Sequence, residues 1–260
     1  MFRFVSCSIP SLRVLLRILS ISIILFPYSV NSKMIKNTDG TIELIHGAGE
    51  VTHAIIWLHG LGATANDFPP IVPQLGLDEA RTIRFIFPQA PQRPITINGG
   101  MHMPGWYDIK GMSIADKQDA VGMAESQATL NGIVESQIAA GIPAHNIIIA
   151  GFSQGGAVAY FSAVRSELKL AGVLALSTYL PFAEDTESKQ SKVNQSTPIF
   201  ASHGTHDPVV PMSLGKASVD SLNELGYQVL WKTYPMEHTV VLEQIQDIGS
   251  WINTVFSGID

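Results

Sequence analysis

The sequence predicts an α/β fold, a mostly parallel central sheet flanked by helices on both faces. Two observations predict it. Short apolar runs alternate along the chain with longer segments of helical periodicity, as in repeated strand-helix units. The short runs are also apolar almost throughout rather than alternately, which strands covered on both faces require. At 260 residues the chain suits one large domain around a single core.

The elements follow in order from about residue 40. Ala54-Ile55-Ile56-Trp57-Leu58 reads as a buried strand, as do residues 83–87, 147–150, 173–176 and 198–202. Residues 229–234 are strand-like. Residues 116–140 are rich in Gln, Ala and Glu with apolar residues at helical spacing, and residues 155–164 and 214–225 also read as helices. Leu242, Ile245, Ile248, Ile252 and Val255 form one stripe at spacings of three and four, an amphipathic terminal helix. The polar stretch 184–196 reads as a surface loop. Residues 88–111 show no period, and a structureless connection of that length is expected to be a lid or a binding loop.

Composition excludes some functions. The net charge is -6, with no basic stripe and no interleaved aromatics, so nucleic-acid binding is not expected. The single cysteine, Cys7, allows no intrachain disulfide. Residues 1–32 stand apart from the rest. Arg3, Arg13 and Arg17 lead into an apolar run over 18–30, shorter than the roughly 18 residues of a spanning helix. The run reads as a signal peptide, with Val30 and Ser32 before the cleavage site. The alternatives are a stretch preceding a true start at Met34 and a retained anchor. Export to the periplasm or medium follows from the first reading and a cytoplasmic protein from the second. The domain proper is expected over 41–257.

Gly151-Phe152-Ser153-Gln154-Gly155 fits G-x-S-x-G, a pattern that chance alone gives in about one chain in eight. Its setting is more specific, because it directly follows the strand 147–150 and opens the helix near Gly155. In that setting a serine sits on a strained turn as a nucleophile, as in α/β-hydrolases, where the order along the chain is Ser, then Asp or Glu, then His. The histidines after Ser153 are His203, His206 and His238, and only His238 also follows Asp207. Pro208 bars a helix at Asp207 and keeps its carboxylate at the end of a strand. Ser153, Asp207 and His238 are therefore the expected nucleophile, orienting acid and general base.

An oxyanion hole needs two N–H donors. Gln154, the residue after the nucleophile, supplies one, and Leu61 in His59-Gly60-Leu61-Gly62 supplies the other. His203, His206 and Asp207 taken as metal ligands lack a partner cluster, so no metal is expected. Met101, Met103 and Trp106 are apolar residues in the long connection 88–111. They are expected either to wall an acyl-binding groove or to plug the loop onto the sheet. A non-catalytic binding module on the same fold is the competing function, because fold does not fix activity.

Together these segments resemble the phospholipase/carboxylesterase family, which includes acyl-protein thioesterases and bacterial carboxylesterases. The resemblance rests on His59-Gly60-Leu61-Gly62, Phe87-Pro88-Gln89-Ala90-Pro91, Ile97-Asn98-Gly99-Gly100 with Trp106-Tyr107-Asp108, and Gly151 to Gly156. It continues through His203-Gly204-Thr205-His206-Asp207-Pro208 to Tyr234-Pro235-Met236-Glu237-His238. It implies a cofactor-free hydrolase of small-molecule or lipid acyl esters. Thioesters, lysophospholipids and acylated proteins are further candidate substrates, and 88–111 would shape the acyl site. Glu237 departs from the small or neutral residue that often precedes the histidine, and the N-terminal apolar extension is unusual in the family.

Overall fold

The computed structural model describes residues 33–111 and 118–259. The N-terminal segment 1–32 lies outside them, so the targeting reading stays an expectation. Among the described residues no helix is long and apolar enough to cross a membrane.

In chain order the strands are β1 (Lys33–Lys36), β2 (Ile42–His46), β3 (His53–Leu58), β4 (Ile83–Phe87), β5 (Gln92–Ile95), β6 (Met101–Pro104), β7 (Ile147–Phe152), β8 (Gly172–Leu176), β9 (Ile199–Gly204) and β10 (Val229–Tyr234). The helices are α1 (Ala120–Ala139), α2 (Gln154–Ala163), α3 (Ala183–Lys189), α4 (Met212–Glu224) and α5 (Leu242–Ser257). An eight-stranded sheet runs β1-β2-β4-β3-β7-β8-β9-β10, and β5-β6 form a separate hairpin. Every neighbour from β4 through β10 is parallel, while β1 and β2 join antiparallel at one edge.

Each central strand feeds two cores because side chains alternate across a sheet. Ala54, Ile56 and Leu58 of β3 and Ile147 and Ile149 of β7 join one core with Leu130 of α1, Val158 of α2 and Leu222 of α4. Ile55, Trp57, Ile148 and Ala150 face the other way, against Ile248 and Ile252 of α5 and the 3-10 turn Pro69–Gln74. This double burial explains why the strands read as unbroken apolar runs. The predicted stripe on α5 faces this second core, except that Leu242 at its first position is 54% exposed. Trp251 and Phe256 complete the packed face.

The polar stretch 184–196 contains α3 and a 3-10 turn rather than loop alone. Only Thr186 of α3 is buried, so no apolar stripe announced the helix. The long connection 88–111 is likewise ordered. It holds the β5-β6 hairpin, paired from Gln92 with Pro104 to Ile95 with Met101. The antiparallel edge also begins before residue 41, since β1 pairs with β2.

Candidate active site

Strand β7 ends at Phe152 and α2 begins at Gln154, leaving Ser153 alone on the turn with φ 54 and ψ -119. A positive φ on a residue with a side chain costs about 1–3 kcal/mol and persists only where the surroundings enforce it. Here Ser153 N donates to Leu176 O at 2.8 Å, and its carbonyl accepts from Ala157 N at 3.1 Å and Thr178 Oγ1 at 2.7 Å. The flanking glycines are steric necessities. A Cβ on Gly151 would strike the backbone of Gly155, and one on Gly155 would strike the carbonyls of Leu58 and His59. The tight turn thereby seats the start of α2 on the end of β3.

Asp207 follows β9, and its side chain is 0% exposed. Oδ1 accepts from Val209 N and Val210 N at 2.9 Å each, and Oδ2 lies 2.7 Å from His238 Nδ1. Burial alone would raise the pKa of this carboxyl. Hydrogen bonds from the His203 and His238 side chains and from Val210 N outweigh it and hold the group far below the ordinary carboxylate range. An ionised carboxylate only accepts, so the pattern assigns the His238 proton to Nδ1 and leaves Nε2 as a base. The His238 ring packs on Phe152, the residue that precedes Ser153, with centroids 4.7 Å apart. Gly204 lets the His238 loop approach, since a Cβ there would strike the carbonyls of Met236 and Glu237.

The loop after β3 reaches the same place. A Cβ on Gly60 would lie 3.4 Å from Ser153 Cβ, so this loop passes directly beside Ser153. Leu61 N–H has no protein acceptor among the described residues. Gln154 N–H opens α2, where helix geometry leaves the first donors unpaired and the dipole favours an anion. His59 is buried and holds the loop from behind. Its Nδ1 lies 2.8 Å from Gly60 O, and its Nε2 accepts from Ala90 N at 3.1 Å. Desolvation, opposed by the Gly60 bond, lowers its pKa and favours the neutral ring this pattern needs.

The three residues expected at the acyl site part company. Trp106 is 1% exposed and belongs to the core. Met101 is 55% exposed on the hairpin. Met103 stands by the loop after β3, its sulfur 3.7 Å from where a Cβ on Gly62 would lie, with Asn98 Nδ2 donating to it at 3.4 Å. His203 is buried with its Nε2 donating to Val210 O at 2.8 Å, and His206 is exposed beside Thr205. No group of His, Cys, Asp and Glu among the described residues is arranged to hold a metal ion.

Several positioning contacts escaped the sequence reading. The Thr178 hydroxyl anchors Ser153, and the Gln154 side chain accepts from Trp106 N at 2.8 Å. For Trp106 a signal existed, because a buried indole N–H must find an acceptor.

The profile of the phospholipase/carboxylesterase family matches residues 39–256. The chain belongs to this family. Acyl-protein thioesterase 1 of Neurospora crassa is 41% identical over 223 residues, covering 80% of this chain and 89% of that protein. Acyl-protein thioesterase 1 of Gibberella zeae is 36% identical over 217 residues, 79% of this chain and 91% of its own length. The crystal structure of Zea mays acyl-protein thioesterase 2 superposes with a TM-score of 0.74 at 27% identity, covering 82% of this chain and 98% of that one. The fold is that of an α/β-hydrolase, and the chain is a hydrolase of this family.

Proposed function

We propose that this chain hydrolyses acyl esters and acyl thioesters through an acyl-enzyme on Ser153. Ser153 Oγ attacks the acyl carbonyl carbon while His238 Nε2 takes its proton, and Asp207 steadies the resulting imidazolium. The N–H groups of Leu61 and Gln154 hold the tetrahedral oxyanion. Collapse breaks the ester or thioester bond, and the leaving oxygen or sulfur takes the proton from Nε2. Water then repeats the sequence, releasing the carboxylic acid and restoring Ser153. The observation that carries this reading is the strained turn at Ser153, with the His238 ring packed on the adjacent Phe152 and paired to a buried carboxylate. The names of the relatives favour acylated protein among the substrates, with small or lipid acyl esters alongside. Residues 41–257 are read as one catalytic domain, edged by β1.

A panel of p-nitrophenyl esters, a lysophospholipid and a palmitoyl-cysteine peptide tests the reading. The expected result is turnover of at least the esters and the thioester, lost by several orders of magnitude in Ser153→Ala. Residual acceleration over water of about 10³ to 10⁴ is expected if the oxyanion donors survive. Near-parental turnover in folded Ser153→Ala would sink the assignment.

A further inference from the structure

The described mechanism needs two N–H donors from segments far apart in the chain, and one short stretch touches both. Pro104 O accepts from Gly62 N at 2.8 Å, and Trp106 Nε1 donates to His59 O at 2.8 Å. Both bonds grip the loop that carries Leu61. On the other side, Trp106 N donates to Gln154 Oε1 at 2.8 Å, and Gln154 Nε2 donates to Tyr107 O at 2.6 Å. These grip the side chain of the residue that carries the second donor. The Trp106 carbonyl is held in turn by Ser126 Oγ from α1. Trp106 thus has its backbone N–H, carbonyl and indole N–H all engaged while its ring is buried in the core.

We propose that Trp106 is a positioning residue, a strut that sets the spacing between the Leu61 and Gln154 donors of the oxyanion hole. The inference rests on the acyl-enzyme reading above. Its physical basis is that such donors act only when fixed in advance at the position where the oxyanion will form. A displacement of about 1 Å can cost on the order of 10²-fold in rate. Filling the core would require only an apolar ring at this position. The indole N–H aimed at His59 O and the two-pronged amide of Gln154 do something packing does not. They link the end of β3 to the start of α2 across the hairpin connection.

Three variants separate the strut from generic stability. Trp106→Phe keeps a ring and removes the bond to His59 O. Gln154→Met keeps the length and the backbone donor while removing both side-chain bonds. Leu130→Ala empties part of the same core but removes none of these hydrogen bonds. The first two are expected to lose about 10- to 100-fold in kcat on p-nitrophenyl acetate, with KM within about threefold of the parent. Leu130→Ala is expected to lower Tm and leave kcat unchanged. Parental kcat in Trp106→Phe overturns the strut, as does an equal kcat loss in Leu130→Ala. A crystal structure of Trp106→Phe tests the geometry without reference to activity, and unmoved Leu61 and Gln154 N–H groups would overturn the strut outright. Failure of the acyl-enzyme reading shows elsewhere, as a parent enzyme whose Ser153 takes no covalent label.

Discussion

Replacing Asp207 by Asn is the most discriminating single change, because the structure dictates how the new amide must sit. Its oxygen can occupy the place of Oδ1, where Val209 N and Val210 N each donate at 2.9 Å. The reverse placement would turn an NH₂ toward two N–H donors and leave both without an acceptor. At about 1–3 kcal/mol per orphaned buried group, that placement is disfavoured by roughly 2–6 kcal/mol. The amide NH₂ therefore takes the place of Oδ2, 2.7 Å from His238 Nδ1. Two donors cannot face each other there, so the His238 proton moves to Nε2. That nitrogen is then a donor where the mechanism needs a base. The same substitution in Ser-His-Asp triads lowers kcat about 10⁴-fold, equivalent to about 5.4 kcal/mol of barrier. The backbone bonds that shape the loop survive, so the variant is expected to fold. Steady-state hydrolysis of p-nitrophenyl acetate at pH 7.5, with near-ultraviolet circular dichroism as the folding control, reads the effect. A folded Asp207→Asn enzyme with kcat within tenfold of the parent would refute the assigned tautomer.

Other expectations concern stability. The Asp207 carboxyl has a folded pKa below its unfolded value of about 3.9, so its stabilisation is complete above that value and is lost as pH falls through it toward the folded one. Asp119 and Asp247 are shifted in the same direction and contribute to the same acid limb. Urea midpoints should thus fall between pH 5 and pH 3 in the parent and fall less in Asp207→Asn, and parallel curves would contradict this. A Cβ on Gly249 of α5 would strike the Leu75 carbonyl, a backbone atom with no rotamer to yield. Gly249→Ala should therefore destabilise the fold by more than the gain in helix propensity of about 1 kcal/mol, lowering Tm, and an unchanged or higher Tm would show that α5 docks less closely.

How much of this was legible varies with how deeply each segment is buried. The strands β3, β7 and β8 are covered on both faces, so their unbroken apolar runs revealed them. The α5 stripe was legible because one face packs and the other stays wet. The strained turn at Ser153 and the pairing of Asp207 with His238 were legible because the glycines around Ser153 and the order of these residues are written locally. The β5-β6 hairpin was not. Its strands are four residues each, partly exposed, and carry Pro94 and Pro104, so neither periodicity nor propensity marks them. Trp106 shows the deeper limit. Its apolar character was visible, but which atoms its N–H groups would meet depends on residues 47 and 48 positions away.

The central claim is that Ser153 alone is the activated nucleophile. A fluorophosphonate probe forms a stable bond only with a serine whose proton is removed by a neighbouring base, and peptide mass spectrometry of the labelled parent locates that bond. The account predicts a single adduct on the peptide containing Ser153, abolished in Ser153→Ala and strongly slowed in His238→Ala. An adduct on another serine, or labelling that survives Ser153→Ala, would contradict it.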